Sequence, residues 1–273
     1  MKKSASVRHR VSAGLGTLRG ALDRELRFIA RHVRGFYSAV LAALALAFAF
    51  SLAAALLFAA LSHLVMQGTT QLFDIWVLRS AAALRTPMLD DIMLEITSLG
   101  NGAVLATMVV IVSVFLWLTH HRYSVFFLLF AVLGGLVLNS ALKDLFDRPR
   151  PSVVEWATMV GSTSFPSGHA MSAMIAYGSV AYLVGRLEPT PTLRRATWIL
   201  AAVLILLIGI SRIYLGVHYP SDVLAGYVAG LAWTSFVISG IHTIRFFAAR
   251  KPEVEQAERG LHAEEERTLG LRE

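Results

Sequence analysis

The chain has 273 residues, of which 56% are hydrophobic and only 16% charged, a balance too apolar for an ordinary soluble domain and suited to a membrane-embedded one. It contains no cysteine, which excludes disulfides, thiolate nucleophiles and cysteine-based zinc sites. Its net charge of +7 points, in such a chain, to cytoplasmic loops and anionic lipid rather than to nucleic acid.

Residues 1–35 form a basic tail. Val11, Leu15, Leu18, Leu22, Leu26, Ile29 and Val33 recur at steps of three or four, with Arg8, Arg10, Arg19, Arg24, Arg27, Arg31 and Arg34 among them. That pattern predicts an amphipathic helix lying on an anionic leaflet, and the basic stretch is too long for a secretory signal. Six apolar runs follow, at about 37–66, 103–118, 124–142, 169–184, 196–214 and 221–244, each read as a span of about 20 residues once short flanks are added. Residues 36–248 are therefore read as one all-α, six-span membrane domain. Residues 249–273, with "AEEER" at their centre, are read as a charged tail, solvated as a helix or without fixed structure.

Six spans put both tails on one side. Of the 25 Lys and Arg residues, nineteen then fall on the side of the tails and six on the other. The positive-inside rule makes the tails cytoplasmic. The six outer cations are Arg79, Arg85, Lys143, Arg148, Arg150 and Arg212, and four of them stand in or beside three polar segments: "KDLFDRPRP" from Lys143, "PSGH" from Pro166 and "SRIYLGVHYPSD" from Ser211. Ionisable groups at span ends are costly unless they snorkel, pair or work.

Taken together these segments suit a phosphate. Lys143, Arg150 and Arg212 supply three cations, the arginines with planar forks matched to phosphate oxygens. Ser167 and Gly168 stand at a helix start, where free N–H groups and the helix dipole favour an anion. Pro220 suits a first helical turn, which places Asp222 within reach of His218. A carboxylate there would fix the imidazole tautomer and leave the other nitrogen free as a nucleophile. His169 would then protonate the leaving oxygen as a general acid. One histidine must be neutral and the other protonated, through Asp222 beside the first and the anionic substrate beside the second.

The pattern Lys-x6-Arg-Pro, Pro-Ser-Gly-His and Ser-Arg-x5-His-x3-Asp, carried by Lys143, Arg150, Pro151, Pro166 to His169, Ser211, Arg212, His218 and Asp222, resembles the type 2 phosphatidic acid phosphatase (PAP2) superfamily, the lipid phosphate phosphatases. The likeness covers residues 90–244, including the lead-in "LDDIMLEITSLG", and leaves out both tails. It implies a six-helix bundle of the PAP2 and vanadium haloperoxidase-like type. It also implies a phosphatase needing no metal or other cofactor, acting on a lipid phosphomonoester or diphosphate such as phosphatidate, phosphatidylglycerol phosphate or undecaprenyl diphosphate. In that resemblance His218 attacks phosphorus and forms a phosphohistidine, Asp222 orients it, and His169 is the general acid. Lys143, Arg150, Ser167, Gly168 and Arg212 hold the phosphoryl oxygens. The soluble haloperoxidases share the site, but six spans argue against their activity here.

Two alternatives stay open: a lipid phosphotransferase acting on an envelope glycolipid such as lipid A, and a non-enzymatic lipid-binding or transport protein. A bacterial inner membrane with the site on its outer face is the expected location. The sequence assigns no oligomeric state. Elsewhere the bland readings prevail. Asp147 and Arg148 fit no motif position and are read as a pair within their loop. Asp90, Asp91 and Glu95 are read as structural rather than as metal ligands. Gly226-x3-Gly230 and Gly134-Gly135 predict close helix packing, and Asn139 a polar contact in the third span. His63 and His242 have no evident partner.

Overall fold

The computed structural model describes residues 40–268, with side chains up to 244. The basic segment 1–35 and the side chains of 245–273, with the expected leaflet helix and charged tail, lie outside the described residues. Every element between is helical or a turn.

Helix α1 (Val40–Met66) is an unbroken helix of 27 residues, most of them Ala, Leu and Phe, about 40 Å long and enough to cross a bilayer core of about 30 Å. Four more helices have the same capacity: α5 (Arg122–Phe146), α6 (Gly168–Leu187), α7 (Pro191–Tyr214) and the Pro220–Ile244 part of α8 (Pro220–Thr268). The sixth span is broken. Helix α3 (Pro87–Ser98) and helix α4 (Gly102–Leu118) meet at an angle of 44°. At 17 residues, α4 alone reaches only about 26 Å, so a span at 103–118 needs α3 with it.

The break falls at a close approach to other helices. Gly100 faces α7 so closely that a Cβ there would stand 2.6 Å from Ile208 Cγ2 and 3.2 Å from the His169 ring. Asn101 then caps α4, its side chain accepting from Ala103 N at 3.0 Å. The Leu99 carbonyl freed by the bend accepts from Tyr177 Oη at 2.9 Å.

Helix α6 is the hub, packed against α4, α5, α7 and α8. Gly226 and Gly230 let α8 approach it: a Cβ at Gly226 would meet Ser167 O at 2.6 Å, and one at Gly230 would meet Met171 O at 2.9 Å. Gly134 gives room to the Trp233 ring, whose Nε1 donates to Ala131 O at 2.8 Å. Both glycine pairs thus act in close packing, as their spacing predicts.

Helix α2 (Gln71–Ala83) has no counterpart among the expected elements. Its 13 residues reach about 20 Å, too short to span. Leu72, Phe73 and Trp76 are exposed on it, while Asp74 and Leu78 are buried. Asp90 accepts from Tyr214 Oη at 2.7 Å, tying α3 to α7. His63 and His242 do have partners, Gln67 Nε2 at 2.9 Å and Tyr182 Oη at 2.6 Å.

Candidate active site

Four helix ends and the 147–167 loop bring the three sequence segments together. Lys143 sits in the last turn of α5, Ser167 caps α6, Arg212 is in the last turn of α7, and Asp222 is in the first turn of α8. His169 lies within electrostatic reach of Arg212, His218, Arg150 and Lys143.

The cations are held by neutral oxygens. Lys143 Nζ donates to Thr163 O at 2.6 Å and to Ser162 Oγ at 3.3 Å. Arg150 donates through Nε to Ser162 O at 2.5 Å and through Nη1 to Val217 O at 2.6 Å. Arg212 Nη1 donates to Thr97 Oγ1 at 2.9 Å, and its Nε is buried with no partner. Among the described residues none of the three forms a salt bridge with a carboxylate. Three clustered cations without counter-ions leave the pocket suited to a multiply charged anion.

The start of α6 differs in one detail from the expected anion cradle. Ser167 N–H is already committed, donating to Asp222 O at 3.0 Å. Its hydroxyl is the free group, fully buried and unpartnered. Gly168 and His169 are the first residues of the helix, where N–H groups have no intrahelical acceptor. Asn139, one turn before Lys143 on α5, comes against Gly168: a Cβ there would lie 3.1 Å from Asn139 Nδ2 and 3.7 Å from Lys143 Cε. Ser211, though part of the motif, turns its hydroxyl to Ile208 O of its own helix at 2.6 Å.

His218 is buried in the turn between α7 and α8. Its Nδ1 faces Asp222 Oδ2 at 3.6 Å, with Ser164 Oγ 3.5 Å away. That separation is longer than a full hydrogen bond. Its Nε2 faces Arg150 Nη1 at 3.2 Å. Asp222 Oδ2 also accepts from Tyr219 N at 2.9 Å and Ser164 Oγ at 2.5 Å. Burial pulls His218 down from the usual imidazole value to about 4, against the raising influence of the neighbouring Asp222 and with the help of the cations Arg150 and Arg212. The ring is therefore neutral at pH 7, with Nε2 able to offer a lone pair.

This depression has a stability consequence. Between pH 6.5 and about 4 the unfolded chain protonates this histidine and the folded chain does not. The stability contributed by the neutral ring is full above pH 6.5 and falls as pH drops through that window, by up to about 3 kcal/mol. The melting temperature in detergent is expected to fall from pH 7 to pH 4, with a smaller fall in His218→Gln. Parallel melting curves for the two proteins across that range would contradict it.

Arg148 does not pair with Asp147. Asp147 closes α5 in a left-handed conformation, φ 40°, its N–H donating to Lys143 O. Arg148 turns inward, 8% exposed, and bridges Asp222 and Asp74. Asp74, Thr97, Ser162 and Ser164 are site neighbours that the sequence reading did not single out.

The PAP2 superfamily profile matches residues 124–246. Phosphatidylglycerophosphatase B of Bacillus subtilis is 34% identical over 179 residues, 64% of this chain and 87% of that protein. Undecaprenyl-diphosphatase BcrC of the same organism is 31% identical, over 62% of this chain and 80% of its own length. The crystal structure of a transmembrane PAP2-type phosphatidylglycerolphosphate phosphatase from Bacillus subtilis superposes with a TM-score of 0.68 at 30% identity, over 71% of this chain and 96% of that one. Together with the membrane-spanning bundle and the cluster of cations that form no salt bridge, these similarities place the chain in the PAP2 superfamily, as an integral membrane lipid phosphatase.

Proposed function

We propose that the chain hydrolyses a lipid phosphomonoester or diphosphate through a phosphohistidine, at the outer face of a bacterial inner membrane. The observation that carries this is the set of Lys143, Arg150 and Arg212, none paired with a carboxylate, around a buried neutral His218.

In this reading the phosphoryl oxygens take over donors from Lys143, Arg150, Arg212, the Ser167 hydroxyl and the first N–H groups of α6. Arg150 Nη1, now on His218 Nε2, moves to the phosphate and releases the lone pair. Nε2 attacks phosphorus as the bond to the leaving oxygen breaks, and His169 gives that oxygen its proton. Asp222 holds Nδ1–H and stabilises the cationic phosphohistidine. Water then attacks phosphorus, His169 takes its proton, and inorganic phosphate leaves with His218 restored. The cations oppose charge that spreads over the phosphoryl oxygens in both transition states. Neither step calls on a metal ion.

The similar proteins are named for phosphatidylglycerophosphate and undecaprenyl diphosphate chemistry, so both lipid types belong among the substrates to be tried, with phosphatidate. The test is phosphate release from these three in mixed micelles, with chelator present and with His218→Ala as control. Release from at least one, unaffected by chelator and absent in the control, is expected. Loss of activity on chelation would overturn the metal-free reaction. Loss of the substrate's phosphate only when an acceptor lipid is added, with that phosphate recovered on the acceptor, would make the chain a phosphotransferase.

The nineteen-to-six distribution of basic residues supports cytoplasmic tails and an outward-facing site. A reporter fused after Glu273 is expected to be active only in the cytoplasm. Activity outside would reverse the topology.

A further inference from the structure

Arg148 lies between two buried carboxylates that come from opposite ends of the domain sequence. Its Nη1 donates to Asp222 Oδ1 at 2.5 Å and to Ser221 Oγ at 2.9 Å. Its Nη2 donates to Asp74 Oδ2 at 3.1 Å and to Gln71 Oε1 at 3.2 Å. The guanidinium stacks over the Tyr219 ring, 4.2 Å from its centroid. Asp74, wholly buried, accepts from Ser221 N at 3.0 Å, from Ser221 Oγ at 2.6 Å and from Thr70 Oγ1 at 2.9 Å. The short helix α2 thus delivers one carboxylate to the start of α8.

A buried ion pair is poor value for stability alone, because desolvation offsets most of the attraction. Charge arithmetic suggests another use. One guanidinium shared by two carboxylates leaves a net charge of −1 in the cluster. If Asp222 were the sole partner of Arg148, its charge would be neutralised, and little would remain for the imidazolium that forms on His218. Asp74 draws off part of Arg148 and restores the deficit. The same bridge fixes the rotation of the Asp222 carboxylate: with Oδ1 on Arg148, Oδ2 is turned to His218 Nδ1.

We infer that Arg148 and Asp74 are positioning residues for the reaction, acting through Asp222 to orient His218 and to hold negative charge behind it. This rests on the assignment of His218 and Asp222 given above. Neither residue belongs to the three motifs, and neither is proposed to touch the substrate. Lys143, Arg150 and Arg212 lie on the phosphate side and are left free by this division of labour.

The test is a kinetic cycle on the full chain in detergent, with His218→Gln as control. Arg148→Gln is expected to lower kcat about 100-fold and Asp74→Asn about tenfold, with KM held within about threefold, because the lost interactions act in the transition state. Asp74→Asn keeps an acceptor oxygen for Ser221 N, removes the charge, and puts an NH2 group in place of the oxygen that accepts from Arg148. Added to Asp222→Asn, either change is expected to cost less than about threefold more, since residues acting through one group are not additive. Arg148→Lys keeps the charge without the two-ended fork, and is expected to recover about a tenth of the wild-type kcat.

Single variants with kcat within threefold of wild type would overturn the inference, as would full additivity with Asp222→Asn. If Arg148→Gln fails to fold, judged by melting and gel filtration, Asp74→Asn and Arg148→Lys decide it by the same criteria. Activity surviving in His218→Gln would instead remove the reaction on which the inference rests. Inactive His218→Gln beside unaffected Asp74 and Arg148 variants would remove the inference alone.

Discussion

Replacing His218 by Gln is expected to lower kcat for phosphate release by about four orders of magnitude or more, while leaving the fold and the affinity for inorganic phosphate near wild type. Gln keeps a polar group in the buried turn and supplies no nucleophilic nitrogen, so the covalent step is lost outright. The proposed phosphate cradle is built by other residues: Lys143 and Arg150 now donate to Ser162, Thr163 and Val217. Arg212 donates to Thr97. Binding and turnover should therefore separate. Phosphate inhibition constants for variant and parent check the first, and release from a lipid phosphate checks the second. A variant that turns over within tenfold of wild type would remove His218 from the nucleophile's role.

A second large effect is expected far from any reacting atom. Gly226→Ala places a methyl group 2.6 Å from Ser167 O, 3.1 Å from Ala170 Cβ and 3.2 Å from Met171 N. Two of the three obstacles are backbone, so the start of α6 must move. Overpacking of this kind costs about 1–3 kcal/mol. The functional cost should be larger in proportion. Ser167 N–H is bonded to Asp222 O at 3.0 Å, so a displaced α6 carries away the hydroxyl and N–H groups of the cradle and disturbs the carboxylate behind His218. A shift of about 1 Å in such a site lowers rate by about 100-fold. Gly240→Ala on the same helix, where nothing lies within 4 Å of the added carbon, should leave activity and melting unchanged. Equal behaviour of the two variants would mean that α8 does not set the cradle.

The parts of this site that were legible in the sequence share one property: each is a short run whose residues are neighbours in the chain. Pro166 to His169 reads as a helix start because proline, serine and glycine have local backbone meanings. Pro220 and Asp222 are likewise fixed relative to His218 by a single turn. Arg212 and Lys143 are visible because a charge at the end of an apolar run has few explanations.

What was missed lies between segments distant in sequence. Asp74 is one acid in a short helix with no motif around it, and only burial beside Arg148 gives it meaning. Arg148 was assigned to its chain neighbour Asp147, yet the left-handed turn at Asp147 sends the two side chains to different partners. Thr97 could be linked to Arg212 only by a contact across 115 positions. The break between α3 and α4 is present in the sequence as Gly100-Asn101, but its cause, the approach of Ile208 and His169, is tertiary. Apolar runs are equally legible, and five of the six expected spans are single helices. The exception is the run at 103–118, which Gly100 and Asn101 part from the helix before it.

The most direct test of the central claim is to trap the phosphorylated protein. An aryl phosphate has a leaving group that needs no proton, so His169→Gln should form the phosphohistidine readily and hydrolyse it slowly, for want of a base to activate water. With such a substrate labelled in its phosphate and an alkaline quench, the account predicts that His169→Gln accumulates close to one label per chain, stable to alkali and released by acid, and that His169→Gln combined with His218→Gln carries none. Phosphate release by the parent protein with no acid-labile label in His169→Gln, or a label that persists without His218, would contradict it.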